Sequence, residues 1–120
     1  MGKKTPPFPP YPTWTTAKFW SFIRSKLRNG FTRWPPKYEC LEDAKRIVTG
    51  QRHKYEYQCN LCNQWYKQKE VEVDHIEPVG SLKDFHDLAG FVKRMFVPKS
   101  KLQVLCKQCH KEKTYGDKQL

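Results

Sequence analysis

Two Cys-x-x-Cys pairs constrain this chain more than any other feature of its sequence. The first pair is Cys59 and Cys62, and the second is Cys106 and Cys109. A two-residue spacer lets a tight turn place two sulfur atoms on one edge of a tetrahedron, each about 2.3 Å from a metal ion. Two disulfide bonds are the alternative, but the odd total of 5 cysteines argues against them. The spacing predicts a structural zinc site with four thiolate ligands.

The small size of the chain makes a stabilising metal site valuable for folding. A chain of 120 residues of which only 38% are hydrophobic builds a small core, and domains of this kind often rely on a metal or a disulfide. The fifth cysteine, Cys40, is expected to be a buried thiol on a helix. No apolar run is long enough for a membrane span. The first residues lack the apolar segment of a secretory signal, so an intracellular location is expected.

The charge of the chain points to an anionic partner. Its formal net charge is +11, which creates a field that attracts polyanions. Nucleic acid is the first expectation and an anionic membrane surface the second, while a protein that is merely basic and soluble stays open. Phosphate contacts position a protein without reading bases, so the charge predicts no sequence preference.

The N-terminal part combines a proline-rich segment with a basic helix. Residues 1–14 are expected to be extended, as a flexible arm, a strap across the domain or a disordered tail. A helix is predicted from Thr15 or Thr16 to about Arg28, with an apolar stripe that is most simply core. The basic side chains of this helix either face solvent or contact the DNA backbone, and they are Lys18, Arg24, Lys26 and Arg28.

A second helix is predicted near residues 39–48, after a rigid turn at Trp34-Pro35-Pro36. A boundary follows it. Residues 1–50 are interpreted as a basic helical extension packed on the core, and residues 51–120 as the metal-binding domain.

The C-terminal part alternates between strands and helices. The patterns predict a strand entering Cys59, a return strand at Trp65-Tyr66, and a half-buried strand that ends at Asp74-His75. A helix over 84–96, a strand over 102–105 and a short helix over 106–113 follow. The chain is therefore predicted to be an α+β protein.

Three ordered motifs in this part resemble a known family. They are Cys59-x-x-Cys62, then Val73-Asp74-His75-Ile76-x-Pro78, then Leu102-Gln103-x-Leu105-Cys106-x-x-Cys109-His110-x-x-Lys113-Thr114. Together they resemble the HNH endonucleases, in particular the small zinc-containing type often encoded by bacteriophages. The resemblance covers residues 55–114 and implies a ββα-metal core.

The resemblance also implies a reaction. In it His75 is the general base that activates water, while Asp74 and His110 hold a catalytic Mg²⁺ or Mn²⁺ during hydrolysis of DNA phosphodiester bonds. Lys101 and Lys113 face phosphates or solvent. A phage-encoded enzyme of this type would act in the bacterial cytoplasm, beside DNA-packaging or other phage proteins.

One position departs from the family pattern. The family usually has an asparagine just before Leu-Gln, where it holds the loop of the base histidine, and this chain has Lys101. A lysine has donors but no acceptor, so it cannot copy an amide. Gln103 or His86 are candidates to orient the base instead. The alternative function is a zinc-stabilised nucleic-acid-binding module with weak or no catalysis.

Overall fold

The structure is a computed structural model that describes residues 7–119, with side chains as far as residue 113. Within this range it mixes helices with short strands, which confirms the α+β class. In chain order the elements are β1 (Pro7–Phe8), β2 (Tyr11–Thr15), α1 (Thr16–Phe31), α2 (Pro35–Asp43), β3 (Lys45–Ile47), β4 (Tyr55–Gln58), β5 (Trp65–Tyr66), β6 (Val71–His75), α3 (Phe85–Met95), β7 (Leu102–Cys106) and α4 (Lys107–Gln119). No helix among the described residues has the length and apolar character needed to cross a bilayer.

The chain divides into two compact units. The helical unit combines the chain up to Trp34 with Pro78–Phe96, and the cysteine unit combines Pro35–Glu77 with the chain from Val97 onward. The helical unit thus contains α1 and α3, and the cysteine unit contains every predicted metal ligand. These bounds differ from the predicted boundary after residue 50. The interpretation of residues 1–50 as an extension packed on the core stays a prediction.

Helix α1 is longer than its sequence pattern predicts. It begins as expected, because the Thr15 hydroxyl accepts a hydrogen bond from the Lys18 N–H at 3.1 Å. It passes Gly30 and ends at Phe31, beyond the predicted end at about Arg28. Phe31 is buried, and the apolar surface that it removes from water favours continuing the helix through the glycine.

Helix α3 confirms the predicted helix over 84–96. Its N-cap is Asp84, whose carboxylate accepts from the Asp87 N–H at 3.2 Å. Gly90 leaves the helix unbroken and makes room for a side chain, since a Cβ there would lie 2.8 Å from Arg94 Nη1. The same arginine donates to the Val79 carbonyl. Phe91, on this helix, is completely buried.

The proline-rich segment forms a hairpin, whereas the sequence predicted an extended segment that is an arm, a strap or a disordered tail. Strands β1 and β2 pair antiparallel, with Pro7 opposite Thr15 and Phe8 opposite Tyr11. The Phe8 ring stacks on Phe19 of α1 with their centroids 3.9 Å apart, and this contact holds the segment against the helix. Residues 1–6 of the predicted arm lie outside the described residues.

The second predicted helix is wrong in its bounds. Helix α2 already begins at Pro35, because a proline suits the first helical position, where no N–H donor is needed. The helix ends at Asp43, and residues 45–47 form β3, which pairs with β4 from Lys45–Tyr57 to Ile47–Tyr55. Non-local backbone hydrogen bonds thus override the local helical pattern.

Two small sheets and one helix position the candidate site. Strands β3, β4 and β5 form an antiparallel sheet, and β6 pairs with β7 as a separate antiparallel pair. All five residues of β7 are buried, and α4 begins directly after Cys106. The predicted strands before Cys59, at residues 65–66, at residues 71–75 and at residues 102–105 are confirmed.

Candidate metal centre and histidine–carboxylate site

The four paired cysteines form one cluster. Their Sγ atoms all lie within 4.8 Å of one another. Cys59 follows β4, while Cys106 ends β7 and Cys109 lies in the first turn of α4. In each pair the N–H of the second cysteine points to the sulfur of the first, at 3.5 Å for Cys62 and 3.4 Å for Cys109. The β4 turn and the β7–α4 junction therefore present their sulfurs to a common centre.

The dimensions of this cluster fit a tetrahedral metal ion. Zn–S bonds of about 2.3 Å imply sulfur–sulfur distances of roughly 3.8 Å, which is compatible with four sulfurs that all lie within 4.8 Å of one another. Burial opposes ionisation of Cys59, but the backbone N–H groups of Cys62, Cys106 and Leu61 lower its pKa to about 6. Hydrogen bonding to Cys106, together with burial, raises the pKa of Cys109 to about 12. A cation is what stabilises four adjacent thiolates, so the cluster can hold a metal ion such as zinc.

Cys40 lies outside the cluster, as the sequence predicted. It is buried on α2. Burial raises the pKa of its thiol, and the nearby Asp43 carboxylate raises it further. Cys40 thus remains a neutral thiol and serves as an internal control for the other four cysteines.

Asp74 is a buried carboxylate held by a chain of amides. It lies opposite Gln103 in the β6–β7 register, and its Oδ2 accepts from Gln103 Nε2 at 2.9 Å. The Gln103 carbonyl oxygen in turn accepts from Asn60 Nδ2 at 2.8 Å. Because Asn60 lies between the two cysteines of the first pair, this chain of contacts joins the metal centre to the carboxylate.

His110 lies beside Asp74, as the resemblance predicts. His110 Nε2 is 3.5 Å from Asp74 Oδ1, and His110 Nδ1 is 2.8 Å from Glu72 Oε2. A proton on Nδ1 would be shared with Glu72, which directs the Nε2 lone pair of a neutral ring toward Asp74. Carboxylates orient metal-binding histidines in this way in many proteins. We did not predict Glu72 from the sequence, although its position two residues before Asp74 places it on the same strand face.

His75 ends β6 on the other face of the strand. Its Cα is paired with that of Leu102, and the next backbone hydrogen bond, from Ile76 N–H to the Lys101 carbonyl, is intact at 3.0 Å. An unbroken ladder alternates its side chains, so His75 shares the face of Val73 and diverges from Asp74. The two residues are therefore adjacent at the strand end with opposite side-chain directions.

Two lysines hold the segment around His75. The Lys113 ammonium lies 3.1 Å from Asp74 Oδ2 and donates to the His75 carbonyl at 2.9 Å. The Lys101 side chain is exposed, but its backbone carbonyl accepts from Ile76 N–H. The Lys101 backbone and the Lys113 side chain thus fix the strand end. Two residues were candidates to orient the base. Of these, Gln103 donates a hydrogen bond to Asp74, and His86 belongs to the helical unit.

The basic residues predicted on α1 all belong to the helical unit. Lys18 lies over the Trp14 ring, and Lys26 lies over the Phe22 ring. Arg24 is half-buried and donates to the Leu82 carbonyl at 3.4 Å, whereas Arg28 is exposed. Of these four side chains, that of Arg24 is therefore bound to the protein backbone.

No family model, no curated protein and no solved structure matches the chain. The fold and the site define an α+β protein with a four-cysteine cluster that can hold a metal ion such as zinc.

Proposed function

We propose that this protein is a metal-dependent endonuclease of the HNH type that hydrolyses DNA phosphodiester bonds. In this proposal β6, β7 and α4 form a ββα-metal core, and the four cysteines hold a structural zinc ion. One observation carries the proposal: Asp74 Oδ1 and His110 Nε2 converge to 3.5 Å, although they come from different elements far apart in sequence.

The donor atoms suit one divalent ion. Two neighbouring ligands of an octahedral ion with bonds of about 2.1 Å lie roughly 3.0 Å apart, close to the observed separation. Lys113 and Gln103 occupy Asp74 Oδ2, which leaves Oδ1 for a ligand. Bound Mg²⁺ or Mn²⁺ would polarise the phosphate and stabilise the leaving oxygen. Two protein ligands leave positions open for phosphate and water.

The opposite directions of His75 and Asp74 support the role of His75 as the base. Attack on phosphorus is in line, so the attacking water and the leaving oxygen lie on opposite sides of the phosphate. A phosphodiester lying across the end of β6 would meet Asp74 and His110 on one side and His75 on the other. A neutral imidazole at His75 can accept a proton from water near neutral pH.

The experiment that tests this function is cleavage of supercoiled plasmid with Mg²⁺ or Mn²⁺. We expect wild type to nick or linearise the plasmid, and His75→Ala to be slower by about 10²- to 10⁴-fold, as is typical when a general base is removed. His53→Ala, which removes a histidine paired with Glu56 in the same unit, is the control and should cut like wild type. Equal rates for wild type and His75→Ala would show that His75 is not the base.

Glu72 gives a second prediction for this site. Glu72→Gln keeps the size of the side chain but weakens its hold on His110 Nδ1. We expect the cleavage rate at limiting Mn²⁺ to fall by about 10- to 100-fold, because the histidine is no longer oriented. The control is Glu56→Gln, since Glu56 contacts His53 at 3.1 Å in a pair unconnected with this site. If both variants need the same Mn²⁺ concentration as wild type, Glu72 does not position the ligand.

The second candidate function is a zinc-stabilised nucleic-acid-binding module without catalysis. The observation that favours it is Lys113, whose ammonium lies on Asp74 and thus already neutralises the carboxylate. Such a module would bind DNA with an affinity that falls steeply as salt rises. It would not cleave DNA with any divalent metal, so the plasmid assay separates the two functions.

A further inference from the structure

Three aromatic rings form a ladder on the surface of the helical unit. The Tyr11 and Trp14 centroids are 5.9 Å apart, and those of Trp14 and Phe22 are 5.4 Å apart, both in edge-to-face contact. Tyr11 is 56% exposed and Phe22 is 42% exposed. Exposed apolar rings that contact each other form a patch, and contiguous patches on a surface are often binding sites. We call these three residues the aromatic ladder.

Lysines flank the aromatic ladder. The Lys18 ammonium lies 5.2 Å from the Trp14 centroid, and that of Lys26 lies 5.3 Å from the Phe22 centroid. Lys18, Phe22 and Lys26 recur every four residues and therefore share one face of α1. Residues 7–34 contain five Lys or Arg residues and no Asp or Glu. The ladder thus combines exposed rings with positive charge and has no acidic residue from its own segment.

We propose that the aromatic ladder binds unpaired nucleotides of a nucleic-acid strand. Bases would stack on the exposed rings of Tyr11 and Phe22, while Lys18 and Lys26 would contact the flanking phosphates. Aromatic platforms beside lysines bind single strands with little sequence preference, because every base has a π-face. In a duplex those faces are covered by neighbouring base pairs. The proposal rests on the proposed function only for the choice of nucleic acid as the polyanion.

The experiment measures binding of labelled oligodeoxythymidine by fluorescence anisotropy. It uses the full zinc-loaded chain without Mg²⁺ or Mn²⁺, and a duplex of equal length serves as the comparison. We expect the single strand to bind more tightly than the duplex. Tyr11→Ala and Phe22→Ala should each weaken single-strand binding about ten-fold, as when one stacked base is lost, and change duplex binding little.

Tyr38→Ala is the matched control. Tyr38 is 53% exposed, and Lys37 lies 5.7 Å from its ring, but both residues lie on α2 in the cysteine unit. This variant should bind the single strand like wild type. Lys26→Gln should instead reduce the slope of log affinity against log salt by about 0.7, the value for one phosphate contact on a single strand.

Three outcomes would overturn the proposal. They are unchanged single-strand binding by both aromatic variants, equal losses for single strand and duplex, and no oligonucleotide binding by wild type. The last outcome would favour a protein as the occupant of the ladder. Single-strand binding that depends on Tyr11 in a protein that never cleaves plasmid would remove the nuclease function alone.

Discussion

Removal of the predicted zinc ion is expected to unfold the cysteine unit. The four sulfurs join the turn after β4 to the start of α4, and the small core around them consists of Cys59, Leu105 and Cys106. A structural zinc ion contributes roughly 10 kcal/mol or more to folding. Whole domains are stable by only about 5–15 kcal/mol. We therefore expect a chelator to abolish the cooperative unfolding transition of this unit. Circular dichroism and tryptophan fluorescence would measure that transition.

Point variants separate loss of the metal from loss of packing. Cys62→Ala removes one half-buried ligand, whereas Cys40→Ala removes a buried thiol outside the cluster. Elemental analysis should find about one zinc per chain in wild type and in Cys40→Ala, and much less in Cys62→Ala. The melting temperature of Cys62→Ala should also fall steeply, because this variant no longer holds the zinc ion. Freshly purified wild type without zinc, or a Cys62→Ala protein as stable as wild type, would contradict the predicted structural site.

Loss of either proposed ligand of the catalytic ion is expected to slow plasmid cleavage severely. Asp74→Asn removes the negative charge while keeping the shape, and His110→Gln removes the imidazole that faces it. A metal ion supplies several kcal/mol of transition-state stabilisation, and each 1.36 kcal/mol is a factor of ten in rate. We expect both variants to be slower by at least about 10²-fold at saturating Mn²⁺, measured as the initial rate of nicking.

The cysteine unit offers matched controls for both substitutions. His53→Gln also breaks a histidine–carboxylate pair, here with Glu56. Asp43→Asn also breaks an ion pair with a lysine, because Asp43 Oδ2 lies 2.9 Å from Lys99 Nζ. Both controls should nick plasmid like wild type. Equal losses in the controls and the site variants would show that stability, and not the ion, explains the effect.

The sequence predicts those parts of the fold that depend on local spacing. The two Cys-x-x-Cys pairs predict the four-cysteine cluster, because a spacer of two residues allows only a few turn geometries. The alternation of valines with acidic residues before His75 predicts β6 in its correct place. The strand over 102–105 and the helix that follows Cys106 were predicted for the same reason.

The parts that sequence analysis missed depend on partners elsewhere in the chain. Residues 45–47 look helical locally, but their backbone groups pair with β4. The hairpin near Pro7 depends on the stacking of Phe8 on a helix that follows it. Helix α1 passes Gly30 because Phe31 has a buried position to fill. In each case a non-local contact outweighs a weak local preference.

The candidate site shows the same division. Asp74 and His110 were predicted to lie together, and the structure places them 3.5 Å apart. Glu72 could have been found by applying period-two alternation to the residues before Asp74. The position of Lys113 on Asp74 and the His75 carbonyl follows from the packing of α4 on β6, which the sequence does not show. Likewise, the Lys101 backbone holds the strand end, and a motif defined by side chains does not reveal that contact.

Titration of the zinc-loaded protein with Mn²⁺, followed by electron paramagnetic resonance, tests the central claim most directly. If Asp74 and His110 hold one divalent ion, wild type should show one saturable Mn²⁺ per chain. Asp74→Asn and His110→Gln should each lose this saturable Mn²⁺ binding, while His53→Gln should retain it. Equal Mn²⁺ binding by wild type and both site variants, or no saturable binding by wild type, would contradict the account.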